Sequence, residues 1–415
     1  MQRYYSVDFE SLYVIQSTQH NKTVRNHPVY KQNYGPAVGG RLIFVYRGLM
    51  PFFLLCASSE AGLHLPGIES FWKYIFTYVG DQMKNMGITT TVPVEVLLAA
   101  GYRVIDLNNV FISSDACAQD IERAERDGFP KSSCAWIKGI YGACLRCGID
   151  ELVGVLEGDC SNTRALMEVL RRRGIKTYDF SYPSKHTPEN VTAEVNKFME
   201  RFGVSLPQTE AVRKDLSELR QYARKLDEFT YIDNKSTGFE NHLYQVSLSD
   251  FNGNAVQCLE ALKKKISEIG KRPPYTQSLR LGYMGVPPMT GDLYGYVENH
   301  DARIVYNEVQ REFAFPRSME AESIYGQYYD YTYPYDLDFR LREVKKQIKL
   351  RKLDGIIHYT QAFCHRAIED MVIKRELEIP VLTIEGDKSN QLDSRTKLRL
   401  EAFLDMLSDL KGGFA

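Results

Sequence analysis

Short apolar runs alternate with segments of helical period along most of this chain, and no other feature constrains its fold as much. Residues 88–93, 104–107, 152–157 and 175–180 read as strands. Between them, residues 94–100 read as a helix that opens after Pro93 and stops at Gly101, and residues 163–173 as one that stops at Gly174. Proline suits a first helical turn, and glycine suits the position just past a helix end. The alternation resumes with strands over 279–284, 302–306, 355–359 and 381–384, and helices over 339–352, 367–375 and 395–410. Strands separated by helices predict parallel sheets. From residue 187 to about 271 the pattern is helical throughout, with Val212, Leu216, Leu219, Tyr222 and Leu226 at helical spacing. The expected fold is therefore α/β, with two Rossmann-like, doubly wound parallel-sheet domains joined by a helical connector. The boundaries read as a lead-in of unassigned function over 1–84, a first domain over 85–186, the connector over 187–271 and a second domain over 272–415.

Three cysteines stand where such a fold collects ligands. Cys134, Cys160 and Cys364 each follow a segment read as extended, where the chain turns toward a helix. In open α/β sheets the crevice beyond the carboxyl ends of the strands is the binding place. A thiol at a helix N-terminus is expected to lean toward thiolate, the form that binds metal. Three such thiols point to an iron–sulfur site more than to a structural zinc, whose ligands cluster in short-range pairs. Cys147, paired with Cys144 on one helix face, is a further candidate ligand, and Cys117 is near a strand end. Cys56 and Cys258 read as buried small hydrophobes. His358 and His365 flank Cys364 and are candidates for tuning a cluster or moving a proton. Glu95, in the first turn of its helix, either complements the helix dipole or acts as an acid–base group near the crevice.

Composition narrows the partners. A net charge of −1 over 415 residues gives no global attraction to nucleic acid or anionic membrane. The N-terminus lacks a basic stretch followed by an apolar one, and the apolar run 42–56 is interrupted by Arg47, Gly48 and Pro51, too short to span a bilayer. Eight cysteines in a chain of this length do not make a disulfide framework, so a reducing cytoplasm is the expected location. Neither a Gly-x-Gly-x-x-Gly nor a Gly-x-x-x-x-Gly-Lys-Ser/Thr segment occurs, which argues against ATP or NAD binding by this chain itself.

Four segments, in order, carry a resemblance: Val92-Pro-Val-Glu-Val-Leu-Leu-Ala-Ala-Gly101; Cys134-Ala-Trp-Ile-Lys-Gly-Ile-Tyr-Gly142 with Leu152-Val-Gly-Val-Leu-Glu-Gly-Asp-Cys160; Asp354-Gly-Ile-Ile-His-Tyr-Thr-Gln-Ala-Phe-Cys364; and Ile379-Pro-Val-Leu-Thr-Ile-Glu-Gly-Asp387. Together they resemble the 2-hydroxyacyl-CoA dehydratase and benzoyl-CoA reductase family, in particular its D-component-like iron–sulfur subunits. The resemblance implies a 4Fe–4S cluster held by Cys134, Cys160 and Cys364. It also implies an ATP-dependent iron–sulfur activator that delivers a low-potential electron, a homologous sister subunit or homodimer, and an acyl-CoA substrate. In the dehydratases the electron makes a ketyl radical of the thioester carbonyl so that an otherwise non-acidic β-proton can leave; the ring reductases use the same supply on an aromatic thioester. A branch with a double-cubane cluster carries extra cysteines before the last family cysteine, whereas Tyr331-Thr-Tyr-Pro-Tyr-Asp336 here has none. The alternatives are an activator-dependent reductase of a non-CoA substrate and a non-catalytic electron-relay or cluster-carrier subunit.

Overall fold

The structure, a computed structural model, describes residues 83–413. Most of the lead-in, the apolar run 42–56 and Cys56 lie outside the described residues.

Two four-stranded sheets repeat one topology. The first runs β2-β1-β3-β4, with β1 (Lys84–Ile88), β2 (Tyr102–Asp106), β3 (Glu151–Glu157) and β4 (Lys176–Ser181). The second runs β6-β5-β7-β8, with β5 (Leu279–Met284), β6 (Ala302–Asn307), β7 (Gly355–Gln361) and β8 (Val381–Gly386). Every pairing is parallel. In each sheet the winding reverses between the first and third strands, which opens a crevice at their carboxyl ends. The doubly wound expectation holds for both halves. Every residue of β6 and β7 is buried, as in strands covered by helices on both faces.

Helices α1 (Val94–Ala99), α2 (Leu107–Ile112), α3 (Cys117–Arg126), α4 (Ala135–Arg146) and α5 (Thr163–Arg172) serve the first sheet. Five more follow before the second sheet: α6 (Pro188–Phe202), α7 (Leu206–Asp215), α8 (Ser217–Tyr231), α9 (Gly238–Val246) and α10 (Ala255–Gly270). Local signals fix their ends. The Thr187 hydroxyl accepts the Asn190 N–H ahead of α6, Pro188 starts it, and Gly203 closes it at φ 64. The second sheet carries α11 (Leu293–Glu298), α12 (Glu308–Phe313), α13 (Ile324–Tyr329), α14 (Leu337–Arg351), α15 (Asp370–Glu376) and α16 (Ser394–Gly412).

The helices between the sheets are not a spacer. Val191, Phe198, Leu219 and Leu226 share one core with Met86 and Val153 of the first sheet and with Phe313, Tyr328 and Tyr331 from beyond β6. Buried ion pairs fasten the same layers: Glu95 to Arg220 at 2.5 Å, Asp227 to Arg351 at 2.5 Å, Glu308 to Arg340 at 2.8 Å, and Glu312 to Arg317. Among the described residues no helix is long and apolar enough to cross a membrane.

Two local expectations are corrected. Residues 88–93 are not a strand; β1 ends at Ile88. The Thr89 N–H still donates to the Val153 carbonyl (3.2 Å), but its hydroxyl accepts the Val155 N–H (3.1 Å), so a side chain replaces the ladder and the chain turns away. Cys134 follows a turn between α3 and α4 rather than an extended segment.

Candidate functional site

Cys160 and Cys364 stand at equivalent places, each three residues past the third strand of its sheet. Tight backbone geometry brings them there. Gly158 takes φ 87, and a Cβ on it would lie 2.9 Å from the Pro334 carbonyl oxygen, so only glycine lets the two halves meet here. Phe363 takes φ 64, a left-handed value uncommon outside glycine, and the Cys364 N–H closes the turn onto the Gln361 carbonyl at 3.0 Å. Cys134 caps the N-terminus of α4. That helix is tied to the start of α2, just past β2, by Trp136, whose indole N–H donates to Asn108 Oδ1 at 2.7 Å. In the second half the residue at the matching cap, ahead of α14, is Asp336, so the internal repeat provides a thiol at three of four equivalent corners.

All three thiols line one cleft that is partly open to solvent. Its walls come from both sheets and from the helices between them, and Ile112, Ile137, Ile140, Val246 and Phe313 make much of the lining apolar. The Cys134 sulfur faces the N–H groups of Trp136 and Ile137, that of Cys160 the Asn162 N–H, and that of Cys364 the Arg366 N–H. The expected thiolate bias is overturned. Burial pushes all three thiols upward, Cys160 to about 12, and the backbone donors offset only part of it. Without a metal the upward shift favours neutral thiols, Cys134 buried and Cys160 and Cys364 half-buried.

The cleft also holds acids that sequence patterns did not single out. Asp159 is pushed up to about 6, by burial first, against the opposing pull of the Cys160 N–H and the Arg366 charge. Tyr333 donates its hydroxyl to Asp159 Oδ1 at 3.3 Å, and the Arg366 guanidinium lies 4.9 Å from the Tyr333 ring centre. Asp106, at the end of β2, lines the same wall and is also shifted upward by burial. Adjacency to Cys160 and Cys364 was the one sequence signal that marked Asp159 and Arg366. Nothing local marked Asp106 or Tyr333.

The other sequence candidates lie elsewhere. Cys147 caps the far end of α4, about 20 Å from Cys134 at 1.5 Å per residue, so it does not join the three thiols. Glu95 does not line the cleft; its side chain is fully buried against Arg220, Gln327 and Tyr328. Burial alone would raise its pKa, but the Arg220 charge and these hydrogen bonds hold it below the usual carboxylate range. His358 is 4 % exposed inside β7, its Nδ1 2.8 Å from Asp370 Oδ1, and it is not part of the lining. His365 does reach the rim of the cleft. Cys144 and Cys258 are buried in helices, and Cys117 opens α3 away from the lining.

Residues 89–407, about three quarters of the chain, match the family described as 2-hydroxyglutaryl-CoA dehydratase, D-component. The chain belongs to that family. No curated protein matches it. As a D-component-like subunit of the dehydratase type, it brings the cleft and its thiols under one heading. A group of three or more His, Cys, Asp or Glu close enough to share a single metal ion does not occur among the described residues. Three thiols on one cleft wall are the donor type that iron–sulfur clusters take.

Proposed function

We propose that Cys134, Cys160 and Cys364 hold a 4Fe–4S cluster and that the cleft in front of them takes the acyl end of a 2-hydroxyacyl-CoA thioester for dehydration. The reading carries with it an ATP-dependent iron–sulfur activator as electron donor and a homologous sister subunit or second copy as partner. The division at 84/85, 186/187 and 271/272 stays part of the same proposal. The observation behind it is the meeting of three thiols, from two sheets and 230 residues of sequence, on one largely apolar wall with backbone N–H groups at each sulfur.

When bound, such a cluster supplies an electron at low potential and an iron with no cysteine ligand. The rest is work for the chain's own groups. The isoleucines, Val246 and Phe313 keep water from the thioester. N–H groups of Trp136, Ile137, Asn162 and Arg366 stabilise negative charge on the sulfurs, as hydrogen bonds to cluster sulfur do generally. Asp159 and Asp106 place carboxyls in the wall, where a dehydration needs a proton given and a proton taken.

The test is anaerobic reconstitution with iron and sulfide, followed by metal counting, EPR and turnover of 2-hydroxyacyl-CoA thioesters with a reduced activator. Replacing any one of Cys134, Cys160 or Cys364 with Ala is expected to strip most of the iron, while Cys258→Ala keeps it. Full iron retention in all three variants would end the cluster assignment. A cluster that forms normally but turns over only non-CoA substrates, or none, would transfer the protein to the reductase or relay reading.

A further inference from the structure

Most buried carboxylates among the described residues have a cation. Glu95 has Arg220, Asp227 has Arg351, Glu308 has Arg340, Glu312 has Arg317, and Asp120 has Arg146. Asp106 and Asp250 depart from that pattern. They are 2 % and 6 % exposed, and among the described residues neither makes an ion pair. The Asp106 backbone N–H donates to Asp250 Oδ2 at 2.8 Å, which holds the two residues together. Their other partners are neutral: on Asp106, Asn108 N–H and Nδ2 at Oδ1 (2.9 and 2.7 Å) together with the Ser249 hydroxyl and the Asn109 N–H; on Asp250, Asn252 N–H at Oδ1 (3.0 Å) with Asn109 Nδ2 at 3.5 Å. The charged or titratable groups that face the pair from neighbouring elements are Asp159, beyond β3, and Cys258, on α10. Each, when ionised, adds negative charge rather than relieving it.

Two buried carboxyls on residues joined through one backbone N–H, with no cation beside either, disfavour double ionisation at neutral pH. Both are shifted upward, burial first, with mutual repulsion adding to it for Asp250. Asp106 is a wall residue of the cleft and Asp250 is not, so a shared proton has a route into the cleft through Asp106 alone.

We propose that Asp106 and Asp250 hold one proton between them and that Asp106 delivers it to the hydroxyl that leaves the substrate. The delivery step rests on the dehydratase reading above; the shared proton does not. As the C–O bond breaks, the bonding pair stays with oxygen, which takes the Asp106 proton and departs as water. The proton lost from the adjacent carbon then refills the pair. The activating electron, given by the low-potential iron–sulfur donor, is recovered at the end, so the reaction is redox-neutral. Asp106 is the catalytic residue, and Asp250 is a positioning residue that sets when Asp106 is protonated.

Infrared spectroscopy of the protein with 13C-labelled aspartate reads the shared proton without cluster or substrate. A protonated-carboxyl band is expected at pH 7 in the native protein, to be lost in both Asp106→Asn and Asp250→Asn and kept in Asp159→Asn. No such band in the native protein, or one that survives both substitutions, overturns the shared proton. Circular dichroism checks that each variant is folded; if one is not, the other alone decides. In the reconstituted enzyme, Asp106→Asn is expected to lower kcat on the order of 10²-fold or more. Asp250→Asn removes the repelling charge, so Asp106 ionises earlier and the alkaline limb of the kcat/KM profile moves to lower pH. A normal infrared result with unchanged kcat in Asp106→Asn overturns the delivery step and leaves the cluster assignment standing.

Discussion

Glu95→Ala is expected to be among the costliest single substitutions in this protein, and for structural reasons. Glu95 Oε1 accepts from Arg220 Nη2 at 2.5 Å and from Gln327 Nε2 at 2.7 Å, and the Tyr328 hydroxyl lies 2.8 Å from Oε2. The side chains of the pair are 0 % and 3 % exposed, so water cannot replace the carboxylate. Removing it leaves a buried guanidinium with one side-chain hydrogen bond, to Gln327 Oε1 at 2.8 Å, and the face of the Phe315 ring 5.0 Å away. Breaking a buried pair from one side costs about 3–5 kcal/mol. At roughly 2 °C per kcal/mol for a large domain, the thermal midpoint should fall by about 6–10 °C. The sign with pH is fixed too. The native carboxyl titrates below its unfolded value, so the pair stabilises fully above about pH 4.3 and loses its contribution as pH falls through the native pKa. Circular-dichroism melts at pH 7 and pH 4 measure both effects. The double variant Glu95→Leu, Arg220→Met, which replaces the pair by apolar groups, should recover most of the loss. A loss below about 1 kcal/mol in Glu95→Ala would refute the reasoning. So would native stability with abolished turnover, which would return Glu95 to the acid–base role its sequence position allowed.

Gly142→Ala sets two effects against each other. Alanine gains about 1 kcal/mol in helix propensity, but its Cβ would lie 2.3 Å from the Asp120 carbonyl oxygen, and backbone does not yield as a side chain does. The net should be destabilising by about 1–2 kcal/mol in a urea titration, with α4 and its Cys134 displaced from α3; a stabilised variant would show that the helices are not packed this closely. The half-buried, upward-shifted thiol predicts slow alkylation of Cys160 in the metal-free protein below pH 9, while exposed Cys147 reacts first; mass spectrometry of iodoacetamide adducts gives the order, and the reverse order would refute it. Because the folded Cys160 thiol titrates above its unfolded value, its contribution is intact below about pH 8.5 and is lost as pH climbs toward 12. Metal-free melts should therefore fall with rising pH across that window, and an unchanged midpoint would contradict the assigned burial.

The sequence by itself determined the elements and their class. Strand and helix periods are local, so the alternation showed two parallel sheets, and helices such as 163–172 were placed to within a residue. The turn chemistry of Gly101 and Gly174 marked where helices stop. Cysteines placed past strand ends were legible because the carboxyl edge of a parallel sheet is fixed by strand direction alone. What only the tertiary structure decided is which groups are buried and which meet. Glu95 and Asp106 are both acids at element ends, yet one is closed in by Arg220 while the other faces a cleft. Asp250 is 144 residues from Asp106, and no local pattern links them. Cys147 stays a further candidate beside Cys160 until α4 is folded as a rigid rod that carries it away from Cys134, while Cys160 lines the same cleft as Cys134. Periodicity encodes the elements because it acts over a few residues. Convergence depends on how crossovers pack two sheets together, and that is a property of the whole core.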